Sequence, residues 1–335
     1  SGGLRVVDVS DPAAPEELGA YDTPGSAYGV AVKGSTAYVA DRDGGLVILR
    51  YTGPDAPTLS AISNADGDGT YSVDWSEVSG ATSYTLEEDD LASFSSPTTR
   101  CSGSDSECAI SGQPGGTWYY RVRASNFAGE SEWSNVEWTT VKPGAPTLYT
   151  ISNADGDDSY TVGWSAVTGA DTYALDEDDN YEFSSPTTRY VGVSTAYSVT
   201  GQEGGTWYYR VEASNAAGES AWSNVAGTAV KPEGPILYAI SNVDGDGTYT
   251  VDWSPVSGAD TYTLEEDEDG AFTSPVTRHA GSLSQYVVGG QEVGTWHYRV
   301  RASNAAGDSA WSAAQAVTVT RGAAAAVTIT PEDGE

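Results

Sequence analysis

Gly116-Thr117-Trp118-Tyr119-Tyr120-Arg121-Val122-Arg123-Ala124-Ser125-Asn126 returns, little changed, as Gly205 to Asn215 and Gly294 to Asn304, at a spacing of 89 residues. Within it Trp118, Tyr120, Val122 and Ala124 alternate with Tyr119, Arg121, Arg123 and Ser125. A period of two, with bulky apolar residues on one side and polar ones on the other, predicts a half-buried β-strand. The same alternation runs through Tyr71 to Ser76, Tyr160 to Ser165 and Tyr249 to Ser254, with Trp75, Trp164 and Trp253 again 89 apart. Tyr84 and Leu86, Tyr173 and Leu175, and Tyr262 and Leu264 supply a third strand in each copy. Gly, Asp, Asn, Ser and Pro clusters separate these runs and provide the positive φ angles and local hydrogen bonds of turns. No stretch keeps a helical period, so an all-β chain is expected, and a repeat of 89 residues is a folded module in its own right.

At 335 residues several domains are expected. Aliphatic residues are sparse, and the 10 Trp and 21 Tyr must carry much of the burial. The net charge of -33, with only Lys33, Lys142 and Lys231 as lysines, excludes nucleic acid and anionic membrane surfaces as partners. No apolar run reaches the roughly 18 residues of a membrane span. The absence of Met and of a signal peptide suggests a processed product or a portion of a longer precursor. Cys101 and Cys108 flank one turn of the first copy, where the later copies carry Tyr190 with Tyr197 and His279 with Tyr286. A disulfide there implies an oxidising compartment; the alternative is two reduced thiols facing each other across a hairpin.

Five segments follow from the spacing: 1–54, three units at 55–143, 144–232 and 233–321, and a tail at 322–335. In the first, Gly2 to Pro12 is echoed by Gly44 to Arg50, with strands expected over Ala27 to Val32 and Ala37 to Ala40. Leu4-Arg5-Val6-Val7-Asp8-Val9-Ser10-Asp11-Pro12 and Ala37-Tyr38-Val39-Ala40-Asp41 resemble the phrases of LVIVD-type β-propeller repeats. That resemblance implies a four-stranded propeller blade, of which little more than one is present. The three units resemble fibronectin type III domains. The resemblance rests on Pro57, Pro146 and Pro235, on the second-strand Trp, on the Trp-x-Tyr-x-Val-x-Ala-x-Asn phrase and on the closing Trp133, Trp222 and Trp311. It implies three tandem seven-stranded Ig-like sandwiches used in adhesion, spacing or binding, and it is common in secreted bacterial proteins. Trp118, Trp207 and Trp296 stand where the family usually has its corner Tyr.

Two acidic clusters recur. Asn64, Asp66 and Asp68 return as Asn153, Asp155 and Asp157 and as Asn242, Asp244 and Asp246; Glu87 to Asp90 return as Asp176 to Asp179 and Glu265 to Asp269. By the resemblance both lie at the pole from which the chain leaves each sandwich. Alternating hard oxygens suit Ca2+, although the closing Glu of an EF-hand is missing; the competing reading is a pair of solvated turns. Lys142, Lys231 and Arg321 sit at the exits and are expected to neutralise part of that charge, stiffening a head-to-tail rod through short Pro-restricted linkers.

Catalysis has little footing. His279 and His297 replace tyrosines of the second copy, and no base, orienter and nucleophile accompany them. Phe94, Phe183 and Phe272, and Trp138 alone among the copies, are candidate exposed sugar-stacking aromatics, against the plainer expectation of core or junction packing. The sequence therefore predicts a non-catalytic extracellular or cell-surface protein, bacterial in character, that forms an adhesive rod. Its partners would be further copies or other surface proteins, with filament assembly through strand sharing at the blade and at Ala325 to Thr330. The alternative is a spacer or polysaccharide-binding accessory region of a larger secreted hydrolase.

Overall fold

The computed structural model describes residues 3–9, 12–34, 36–50 and 52–320; Arg321 and the tail, with its expected strand, lie outside them. No helix occurs among the described residues. The chain divides into two compact units, residues 1–142 with 216–218, and the remainder from 143.

In the first unit, β1 (Leu4–Asp8) pairs antiparallel with β2 (Glu16–Tyr21), and β3 (Ala27–Lys33), β4 (Thr36–Asp41) and β5 (Gly45–Arg50) form a three-stranded meander. Val39 is the one buried large apolar residue of this meander, while Val32, Leu46 and Ile48 are 70%, 63% and 58% exposed. Asp41, buried, accepts a 2.7 Å bond from the Gly25 amide and pins the approach to β3 against the end of β4.

The first sandwich follows. β6 (Tyr71–Asp74) pairs with β9 (Glu107–Ile110) in one sheet, to which the first strand contributes a single bridge, Leu59 to Trp75. The facing sheet runs β8 (Thr98–Gly103), β7 (Ser83–Asp89), β10 (Gly116–Asn126), with β12 (Glu137–Val141) beyond β10 and the short β11 (Gly129–Glu130) pairing its end. Tyr71, Val73, Trp75, Tyr84, Leu86, Tyr120, Val122 and Ala124 point between the sheets, as the alternation predicts. Trp118 stands at the rim, half-buried, with its indole N–H donating to Pro114 O. The second unit holds two more sandwiches of the same topology, each with its own core, around Trp164 and Trp253.

Several expectations need correction. The second acidic run is not a loop: β7 and its counterparts continue to Asp89, Asp178 and Asp267, so only the residues after them turn. The phenylalanines are not exposed stacking platforms either. Phe94, Phe183 and Phe272 occupy the turn after that strand with φ of 49°, 51° and 54°, an αL conformation uncommon outside Gly and Asn. Phe94 and Phe183 are buried, because Arg121 and Arg210 lie over their rings at 4.3 and 4.4 Å; Arg299 lies at 4.3 Å from Phe272. The other face of each guanidinium meets Trp133, Trp222 or Trp311, so these rings clamp an arginine and offer no stacking platform.

Candidate functional site

Inward alternation along β7 places Glu88 in line with Tyr84 and Leu86, and the carboxylate is buried with them. Tyr120 donates its hydroxyl to Glu88 and accepts a 2.8 Å bond from Tyr71; Arg100 approaches the same carboxylate at 3.6 Å. The second sandwich repeats the chain with Tyr160, Tyr209, Glu177 and Arg189, the third with Tyr249, Tyr298, Glu266 and Arg278. Burial pushes the Tyr71 and Tyr160 hydroxyls up to about 12, and Tyr120, Tyr209, Tyr249 and Tyr298 are also raised by burial. On the outer face Glu87 pairs with Arg121 at 2.7 Å and Glu265 with Arg299 at 2.6 Å. Asp89 accepts the amides of Ser96 at 2.8 Å and Leu91 at 3.0 Å, and the Ser96 bond leads in holding its carboxyl below the usual range. These acids therefore hold the fold together and are not presented to a substrate.

The first acidic cluster does form a turn, and at the exit pole. Gly67 O receives the Lys142 amide at 2.9 Å, and Gly156 O receives that of Lys231 at 2.8 Å. Asn64 Nδ2 donates to Thr140 O at 3.1 Å, tying the turn to β12, and Asn153 and Asn242 do the same with Ala229 and Thr318. Asp66 Oδ1 accepts the Asp68 amide at 3.4 Å, and Asp68 Oδ1 the Thr70 amide at 2.8 Å. Asp157 and Asp246 act likewise on Ser159 and Thr248, and Asp244 on Asp246 at 3.5 Å. Gly69, at φ 81°, passes so close to Gln113 O that an added Cβ would lie 2.6 Å from it. Asn64, Asn153 and Asn242 each keep a buried Oδ1 without a partner. One orphan amide oxygen and two carboxylates already turned to their own loop do not supply the roughly six to eight oxygens of a Ca2+ shell. Among the described residues no three Asp, Glu, His or Cys side chains converge in a metal-binding arrangement.

A cleft of about 560 Å3 opens beside the join of the second and third sandwiches, lined by Asp155, Asp157, Glu203, Lys231 and Asp308 among others. Trp138, on β12 opposite Tyr119, is 59% exposed. Cys101 and Cys108 form a disulfide from β8 to β9, joining the two sheets of the first sandwich with a Cα separation of 6.1 Å. His279 takes the Cys101 position in the third sandwich, packed between Trp253 at 5.8 Å and Tyr286 at 6.0 Å. His297 lies opposite Asp267 on the neighbouring strand. Sequence reasoning missed the Tyr–Tyr–Glu chain, although the inward register of Glu88, Glu177 and Glu266 is readable from the alternation.

Comparison with known proteins fits this architecture. The LVIVD repeat model matches residues 1–23 and 24–62. Fibronectin type III domain-containing protein 7 is 30% identical over 219 residues in Homo sapiens and 30% over 227 residues in Mus musculus, covering 63% of this chain in both cases. The chain spans 28% of the length of either relative. Among solved structures, the FN1–FN3 domains of chicken CNTN1 align over 80% of this chain and 98% of theirs, at 16% identity and a TM-score of 0.33. No helix among the described residues is long and apolar enough to cross a membrane. The LVIVD match and the fibronectin type III relatives support a chain of LVIVD repeat sequence followed by tandem fibronectin type III domains.

Proposed function

We propose that this chain is a non-catalytic spacer of an extracellular or cell-surface protein, in which the sandwiches form a stiff extended array and the blade segment gives an adhesive end. The observation that carries this reading is that each sandwich seals its own core and commits its buried acids to its own Tyr and Arg partners. A disulfide between the sheets of the first sandwich suits an oxidising compartment. Small-angle scattering of the full chain tests the array: a rod-like cross-section regime is expected, and a compact pair-distance distribution rejects it.

Self-association rests on β3 to β5, whose exposed Val30, Val32, Leu46 and Ile48 leave apolar surface on both sides of a small sheet with open edges. Sedimentation of the full chain and of a variant lacking residues 322–335 tests filament assembly: loss of the polymer on deletion is expected, and an unaltered polymer rejects strand sharing by the tail. The second reading, an accessory region of a secreted hydrolase, is favoured by the exposure of Trp138. Retention on insoluble polysaccharide that disappears in Trp138→Ala would support it; equal retention of both forms would end it.

A further inference from the structure

The join between the second and third sandwiches contains a side chain that touches both. Asn304 closes the Gly294–Asn304 strand, and its Oδ1 accepts the Ala306 amide at 2.9 Å, which fixes the orientation of the carboxamide. The two Nδ2 hydrogens are then both used: one goes to Val230 O at 2.8 Å, the last residue of the Ala226–Val230 strand of the second sandwich, and one to Gly258 O at 3.0 Å, in a turn of the third. We propose that Asn304 is a clamp that locks the third sandwich to the incoming backbone, so that the two move as one body. The proposal deepens the spacer reading and rests on it.

The surroundings admit little else. A Cβ on Gly258 would lie 1.9 Å from Gly204 O, so the two sandwiches meet there backbone to backbone. The Lys231 stem runs between Gly156 and Gly307, whose added Cβ atoms would come within 3.2 Å of Lys231 Cγ and 2.9 Å of Lys231 Cε. Ser257 Oγ donates to Glu203 Oε2 at 3.4 Å across the same contact. The lysine expected to neutralise charge at the exit thus contributes its hydrocarbon stem to the packing.

The first sandwich shows the same device on a different neighbour. Asn126 Oδ1 accepts the Ala128 amide at 2.9 Å, and Nδ2 reaches Gly80 O at 3.0 Å and Thr52 O at 3.4 Å, where the incoming chain leaves a blade strand. Thr52 and Val230 precede their asparagines by the same 74 residues. A clamp that grips a backbone carbonyl works whatever module precedes it. Asn215, at the equivalent position of the middle copy, donates to Gly169 O at 2.9 Å.

The test is a spin-label distance measurement on the full chain, with the disulfide intact and labels at the exposed positions Val191 and Val287 introduced as V191C and V287C. Asn304→Asp keeps the acceptor that orients the turn and replaces the donor by a carboxylate oxygen that repels the Val230 and Gly258 carbonyls. The parent should give one narrow distance distribution, and N304D one about twofold broader. Equal narrow widths overturn the clamp and leave the array standing, whereas a broad parent overturns both. If N304D loses the near-ultraviolet signature of a folded third sandwich, Lys231→Ala, which leaves every bond of the asparagine in place, decides. An unchanged width there supports the clamp, because the asparagine then holds the join without the lysine stem, and broadening rejects it by showing that the stem does the holding.

Discussion

The first and third sandwiches share a topology and a core, yet they close one inter-sheet position by different chemistry. In the first, Cys101 and Cys108 join the sheets covalently; in the third, His279 and Tyr286 occupy the same places and pack against Trp253; in the second, Tyr190 and Tyr197 do so against Trp164. The lesson is that the fold requires the gap beside the second-strand Trp to be filled, and is indifferent to whether sulfur or a ring fills it.

The comparison breaks most severely if the Trp is removed. Trp164→Ala should destabilise the second sandwich by about 3–5 kcal/mol, because Tyr173 at 6.0 Å and Tyr190 at 6.0 Å both lose their packing partner. Trp75→Ala should cost less, since only Tyr84, at 5.8 Å, stacks on that ring and the bridge holds the sheets together. Urea unfolding followed by near-ultraviolet circular dichroism measures both, and the reverse order would refute the account. Reduction of the disulfide comes next: a short closed loop predicts a loss of about 2–3 kcal/mol, confined to the first transition in a denaturant titration. If all three transitions move, the sandwiches do not unfold separately.

Alkaline pH should instead act alike on all three sandwiches, because the Tyr–Tyr–Glu chain is common to them. Tyr71 and Tyr160 are raised to about 12. Their stabilisation is therefore fully present below the free tyrosine value of about 10 and is lost as pH rises through 12. The depressed Asp89 and Asp178 behave oppositely, stabilising above the free aspartate value and losing that contribution as pH falls through their folded values. Thermal melting against pH should show these losses in every sandwich. The smallest change is His279→Tyr, which restores the pair of the second sandwich and removes a buried Nε2 without a partner. A gain of less than about 1.5 kcal/mol is expected, and a clear loss would show that the position prefers the imidazole.

The sandwich cores were legible because Trp and Tyr at a spacing of 89 residues leave one assignment of inside and outside. The acidic runs were less legible, since a carboxylate is ordinarily a surface group and the burial of Glu88 depends on the Tyr120 hydroxyl and the Arg100 guanidinium, both from other strands. Nothing local forecasts Phe94 at positive φ; the Arg121 stack that holds it comes from a strand 27 positions on. The clamp was hidden for a similar reason. Asn at a strand end reads as a turn residue, which Asn304 is through Oδ1, while its second task involves a carbonyl 74 residues earlier.

The second sandwich ends in an acidic Gly-bearing turn and Lys231, the third receives it on Asn304 and a Gly turn, and the same residue types recur in the sequence of the other copies. A gene that duplicates one such unit therefore gains a fitted coupling along with the new domain, and need not evolve an interface afterwards. Length becomes a quantity that recombination can adjust, which is what a lineage requires when the distance to be bridged changes and the ends do not.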